Sequence, residues 1–282
     1  MKKVRANQIL QKALRIRKQY LAADPRTPIC PYNLAEAMGM DVRFLKIATF
    51  EGMYIANEGL ILISSSRPEG RKRFTCAHEL GHHVLGHGTV IDEVVGGASD
   101  KAIELEADFF AAMLLMPSSA IKYAANKMGI KDVGLISSLQ VYSMAKYIGV
   151  SYEALLVQLD VNLGLLSSSR RAALLKYSPQ KIAQELVPVA VAGDVYVIEE
   201  WWTGRAIDLV VGDSIFCSQN FSFEGASLNA SEVGAGKQLI NAVAPGIAKI
   251  SSFGSVEWSS YIRVSRTNFE GMCQFRHEEE VE

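Results

Sequence analysis

The sequence predicts an α+β chain in three parts: a small antiparallel sheet leading into a long helix, a helical middle segment, and a C-terminal mainly β or α+β region. Three observations predict this order. Short β-prone runs between Val42 and Ser64 are separated by glycine-containing turn candidates. Helical patterning then dominates, interrupted at Pro117 and resuming to about Glu185. From about Pro188 the pattern returns to short strands among glycines and polar turns.

Composition bounds what such a chain can do. Its 282 residues allow two domains and a third small one, and 49% hydrophobic residues are ordinary for a globular protein. A formal net charge of −1 exerts no overall pull toward nucleic acid. Cys30, Cys76, Cys217 and Cys273 are far apart and form no CxxC pair, so neither a structural zinc finger nor a disulfide framework is suggested. No apolar run reaches membrane-spanning length, and the charged N-terminus has no signal-peptide core. A soluble cytoplasmic protein is expected.

The first element is a basic helix. Seven lysines and arginines occur by Lys18 and no acid precedes Asp24, while Ile9, Leu10, Ala13 and Leu14 mark an apolar stripe whose opposite, basic side should face solvent. A short helix follows between Pro28 and Gly39. Strands are expected around Val42 to Phe44, Met53 to Ala56 and Leu60 to Ser64, with Glu51-Gly52 and Glu58-Gly59 as turns.

The stretch RFTCAHELGHHVLGH, Arg73 to His87, holds four of the five histidines. Within it His78-Glu79-Leu80-Gly81-His82 is an HExxH pattern. Residues four apart share a helix face, so His78 and His82 can converge on one metal ion while Glu79 serves as general base toward a water. Thr75 could cap the helix start, Leu80, Val84 and Leu85 give it an apolar side, and Gly86 and Gly88 end it. A small sheet just before such a helix is the zincin-like layout of zinc peptidases, whose edge strand can pair with an extended substrate backbone.

Two histidines need a third protein ligand. The segment from Ile103 to Pro117 reads as a second helix in which Glu104 and Asp108 share a face. Glu104 can bind the metal while Asp108 orients His78 or His82 through the other ring nitrogen. Glu106 points roughly the opposite way and is the rival ligand. His83 and His87 form a second pair four apart, but neither is followed by a glutamate, and capping or solvated roles are expected for both. Cys76 lies on another face and is read as a buried small thiol.

RFTCAHELGHHVLGH followed by ELEADFFAAMLLMP resembles the ImmA/IrrE group of zinc-dependent endopeptidases, over about residues 8 to 165. The resemblance implies His78 and His82 as ligands, Glu79 as general base, Glu104 as third ligand, and a role for Tyr54, in a Gly-x-Tyr segment, as oxyanion stabiliser. It implies Zn2+ as cofactor, although the same ligands accept other divalent ions. It further implies a protein substrate, a helix-turn-helix transcriptional repressor, whose cleavage would derepress a stress-response or mobile-element programme.

After Pro117, helices are expected from Ser118 to Lys127 and from about Leu135. Ser143 to Leu155 has a helix-turn-helix shape, with Gly149 in the turn and Ser151 capping the second helix. No Arg or Lys occurs between Gly149 and Ser169, so direct DNA binding is disfavoured and a structural or protein-docking pair is expected. Arg170 to Glu185 is a helical connector. Strands are then expected at Val189 to Ile198, Ala206 to Val211, Ser214 to Ser218, Ile247 to Ser251 and Val256 to Val264, and the resemblance implies a GAF-like sensor domain. The expected organisation is a zincin-like domain over 1–128, a helix-turn-helix-like segment and connector over 129–187, and a sensor or docking domain over 188–282, ending in a solvated acidic tail at Glu278 to Glu280 and Glu282. The alternative is a non-proteolytic regulator that binds a repressor or DNA and keeps a structural metal. The intact Glu79 argues for the enzyme, because a structural site needs no general base.

Overall fold

The chain divides into two compact units, Met1–Ala172 with Glu270–Cys273, and Ala173–Phe269 with Gln274–Glu282. The computed structural model describes residues 1–21, 23–47, 49–93, 101–187, 189–217, 221–232, 238–253 and 257–278. The acidic tail beyond Glu278 lies outside the described residues, as do Pro188, Ser218 and Val256.

The first unit opens with α1 (Lys3–Tyr20), which buries Ile9 and Ala13 completely. Its basic side does not all face solvent. Arg17 is 1% exposed, and its guanidinium donates to the carbonyls of Leu114, Pro25 and Thr27. Three carbonyl acceptors satisfy a buried charge that a charge pattern alone assigns to the surface. α2 (Pro31–Ala37) starts on a proline, and Tyr32 meets Phe44 edge to face at 5.4 Å between ring centroids.

Five strands form the first sheet: β1 (Asp41–Leu45), β2 (Phe50–Ile55), β3 (Leu60–Ser64), β4 (Val90–Glu93) and β13 (Gly271–Met272), in the order β13-β1-β3-β2-β4. The sheet is mixed rather than antiparallel. β2 and β3 form a hairpin through the turn at residues 56–59, and β1 takes the other side of β3, where it runs parallel to it. A two-residue period reports which side chains are buried and carries no strand direction. Nor is Glu51-Gly52 a turn: both residues lie in β2, beside an irregularity in its pairing with β4. A Cβ on Gly52 would stand 2.4 Å from Thr75 Cγ2 and 2.6 Å from Glu79 Oε1, so glycine is needed for the close approach of a helix.

That helix is α3 (Glu69–Leu85), which starts well before Thr75, with Pro68 at its N-cap and Glu69 in its first turn. Thr75 is inside the helix and 5% exposed, packed toward Gly52 rather than capping. Gly86 ends the helix in the left-handed conformation at φ +76°, as its position in the sequence predicts. α4 (Lys101–Leu115) packs closely on α3: a Cβ on Gly81 would lie 3.1 Å from Ala107 Cα and 3.2 Å from its carbonyl oxygen. Cys76, Leu80, Ala107 and Phe110 are fully buried.

α5 (Ser118–Lys127), α6 (Ser138–Ile148) and α7 (Tyr152–Val157) follow. Gly149 turns the chain between α6 and α7 at φ +87°, and Ser151 Oγ accepts from the Ala154 N–H at 3.1 Å. α7 widens into a π-helical turn at Gln158–Asn162, where buried Gln158 donates to the Met116 carbonyl at 2.7 Å.

The expected connector is two helices, α8 (Ser168–Leu174) and α9 (Pro179–Leu186), because Ser178 caps a new helix that Pro179 opens. One sheet of the second unit comprises β5 (Val195–Val197), β7 (Ser214–Phe216), β10 (Gln238–Ala242) and β9 (Leu228–Glu232) in that order. The other comprises β6 (Ile207–Val210), β12 (Glu257–Ser265), β11 (Gly246–Phe253) and β8 (Phe221–Glu224). α9 packs Ala183 and Val187 against Val195 and Leu239. The strand expected from Val189 shortens to Val195–Val197. β8, β9 and β10 escape the sequence reading; β8 and β9 are edge strands of mixed polar and apolar residues, where alternation is weak. Among the described residues, no helix is long and apolar enough to cross a membrane.

Replacing Arg17 by Met leaves three carbonyls without their buried donor. This change should lower stability by about 2–4 kcal/mol, read as a fall in the urea midpoint for the first unit; an unchanged midpoint would remove Arg17 from the folding core.

Candidate metal centre

α3 and α4 together present three metal-ligand types at one point. The α-helical spacing stacks His78 over His82, and the contact at Gly81 and Ala107 brings Glu104 against them. His78 Nε2 lies 2.9 Å from His82 Nε2 and 3.1 Å from Glu104 Oε2, and His82 Nε2 lies 3.7 Å from Glu104 Oε2. A tetrahedral ion with bonds of about 2.0–2.1 Å requires ligand separations of about 3.4 Å, so the triangle is of the right size. Glu104 Oε1 is buried without a hydrogen-bond partner, and two imidazoles plus a carboxylate are the donor set of a zinc hydrolase. The residues fit a divalent metal.

The environment separates the two histidines. Burial, the largest influence on His78, lowers its pKa, but hydrogen bonds to Asp108 and Glu104 and the nearby Glu79 charge outweigh it and lift His78 to about 10. Burial and then the His78 charge push His82 down to about 4. Glu104 is held below the usual carboxylate range, first by its hydrogen bond to His78. Asp108, an exposed residue, accepts from His78 Nδ1 at 2.9 Å, which leaves Nε2 as the metal-facing nitrogen.

Glu79 is fully buried next to His78, in the space that Gly52 leaves open. The Tyr54 hydroxyl lies 2.7 Å from His83 Nδ1, and Tyr54 itself is 5% exposed. Glu106 is not with the three: its carboxylate receives the Arg5 guanidinium and His87 Nε2. His87 was expected in a capping or solvated role, yet its side chain is 6% exposed and its Nδ1 lies 3.1 Å from His82 Nδ1. The signal for this was the pairing of a histidine just past a helix-ending glycine with an acid on the next helix. Arg5, about a hundred residues from Glu106, gave no local signal.

His78 and Glu104 also line one side of a cleft of about 790 Å³. Phe74, Phe109, Met116 and Val157 give the cleft apolar walls. Val157 belongs to α7, so this short helix forms part of the cleft.

Residues 35–160 match the family described as the IrrE N-terminal-like domain. Over 101 residues the chain is 30% identical to the radiation response metalloprotease IrrE of Deinococcus radiodurans, covering 34% of this chain and 31% of that protein. It is 35% identical over 97 residues to the protein of the same name from Deinococcus deserti, covering 32% and 34%. The chain thus spans about a third of the length of the curated relatives it matches. Glu104→Ala should abolish metal binding, whereas Glu106→Ala should still take up about one zinc per chain, measured by titration to saturation; the reverse pattern would reassign the third ligand.

Proposed function

Because residues 35–160 match the family described as the IrrE N-terminal-like domain, we propose that the chain is a zinc-dependent metalloendopeptidase of the ImmA/IrrE kind. One observation carries the reading above all: the fully buried Glu79 carboxylate stands beside His78, His82 and Glu104, in a gap kept open by Gly52. A structural metal site has no use for such a base.

When bound by His78, His82 and Glu104, the ion would supply Lewis acidity, lowering the pKa of a water toward about 7 and polarising a peptide carbonyl. Glu79 takes the proton of the attacking water and returns it to the departing amine nitrogen. Asp108 keeps His78 oriented through Nδ1. Tyr54, its hydroxyl set on His83, is the residue we assign to the developing oxyanion. The apolar cleft beside His78 and Glu104 seats the polypeptide.

The substrate we assign is a helix-turn-helix transcriptional repressor met in the cytoplasm, whose cleavage releases a stress-response or mobile-element programme. The names of the two curated relatives, radiation response metalloproteases, support a stress role. The absence of basic residues on α7 counts against direct DNA reading. Residues 188–282 are assigned to sensing or docking.

Glu79→Gln should keep its zinc and lose at least about a hundredfold in rate against a candidate repressor, followed by mass spectrometry of the fragments. Cleavage by this variant at the wild-type rate would sink the mechanism. Gly52→Ala should also keep its zinc while lowering kcat, because the added methyl occupies the space of the Glu79 carboxylate. An unchanged kcat would show that Glu79 tolerates displacement.

A further inference from the structure

We propose that His87, Glu106 and Arg5 are positioning residues that hold His82 in the one tautomer able to give its Nε2 lone pair to a metal. The proposal rests on the reading of His82 as a ligand.

The sequence builds the contact locally. Gly86, left-handed at φ +76°, folds the chain back over the last turn of α3. The His87 N–H then bonds the His82 carbonyl at 3.0 Å and the Gly86 N–H bonds the His83 carbonyl at 3.2 Å, which is the Schellman pattern of helix termination. That pattern sets the residue after the glycine against the residue five before it. Here the two are imidazoles, with ring centroids 5.1 Å apart.

The protons along the chain of contacts have one consistent arrangement. Arg5 Nε donates to Glu106 Oε1 at 2.8 Å and a second guanidinium nitrogen donates to Oε2, so Glu106 acts as an acceptor at both oxygens. His87 Nε2, 3.3 Å from Oε2, must therefore be the donor in that pair. A neutral His87 then carries its lone pair on Nδ1, and that atom faces His82 Nδ1 at 3.1 Å. Two nitrogens at this distance with no metal position between them share one hydrogen, so His82 Nδ1 donates. The two Nε2 atoms instead flank the place of the metal. His82 Nε2 is left with the lone pair, directed at His78 and Glu104. His78 reaches the same state in one step, through Asp108. His82 reaches a carboxylate only by way of His87, and that carboxylate is held from α1.

The test measures zinc affinity by competition with a chromophoric chelator, together with the visible spectrum of the cobalt-substituted protein. Wild type is compared with His87→Phe, His87→Asn, Glu106→Leu and, as a ligand control, His82→Ala. His87→Phe should weaken zinc binding about 10–100-fold and shift the cobalt bands. His87→Asn, which puts an amide oxygen near the former Nδ1, should recover most of the affinity. Glu106→Leu leaves His87 in place and should fall between, and it carries the test if His87→Phe does not fold. If wild type binds zinc, His82→Ala abolishes binding, and His87→Phe and Glu106→Leu stay within about threefold with unchanged cobalt spectra, the positioning role is overturned while the metal site stands. A wild-type protein that takes up no zinc would overturn the metal reading and this inference together.

Discussion

The close contact between α3 and α4 at Gly81 and Ala107 is the constraint on which the centre depends. His78 and His82 flank Gly81 along α3, and Glu104 lies one turn before Ala107 on α4. With no Cβ at Gly81, the backbones approach to about 3 Å of a side-chain position, and the two sets of candidate ligands meet. A larger residue would separate them and dismantle the triangle without touching His78, His82 or Glu104. Two further glycines hold α3 in the same manner. Gly52 lets β2 lie against Thr75 and Glu79, and a Cβ on Gly70 would stand 2.8 Å from the backbone of Val150 and Ser151. The helix is therefore located by the sheet, by α4 and by the turn between α6 and α7, each through a missing side chain.

Charges around the centre are sorted by partner. α4 carries Glu104, Glu106 and Asp108 within five residues, and three carboxylates near one cation could compete for it. Arg5 engages Glu106 with two hydrogen bonds, and Asp108 takes His78 Nδ1. Glu104 is the one left facing both Nε2 atoms. The N-terminal helix, which looks like a solvated basic surface, supplies two arginines to this part of the molecule: Arg5 to Glu106 and Arg17 to the carbonyl at the end of α4.

What was legible in the sequence was what a helix writes locally. His78 with His82, and Glu104 with Asp108, are visible because a four-residue spacing has one geometric meaning on a helix. Gly86, Gly149 and Ser151 are legible for the same reason, since caps act within a turn. The parallel pairing of β1 with β3 was hidden, because alternation shows faces and not direction. Gly52 read as a turn because a glycine that yields space to a distant helix looks the same as one that bends the chain. Arg17 and His87 were misplaced, and the Arg5 partner of Glu106 went unseen, because these contacts come from other elements, some about a hundred residues away.

The strand β13 gives the sheet a temporal property. It pairs with β1 through Arg43 and Met272, after residues 173–269 of the second unit have been made. At synthesis rates of about 5–20 residues per second, β1 waits about ten seconds or longer for that neighbour. During the wait, the sheet that backs α3 has an open edge, available to chaperones or to other nascent strands. Pairing of β13 marks the moment at which the last segment of the first unit has been translated, so maturation of that unit is coupled to synthesis of residues 173–269.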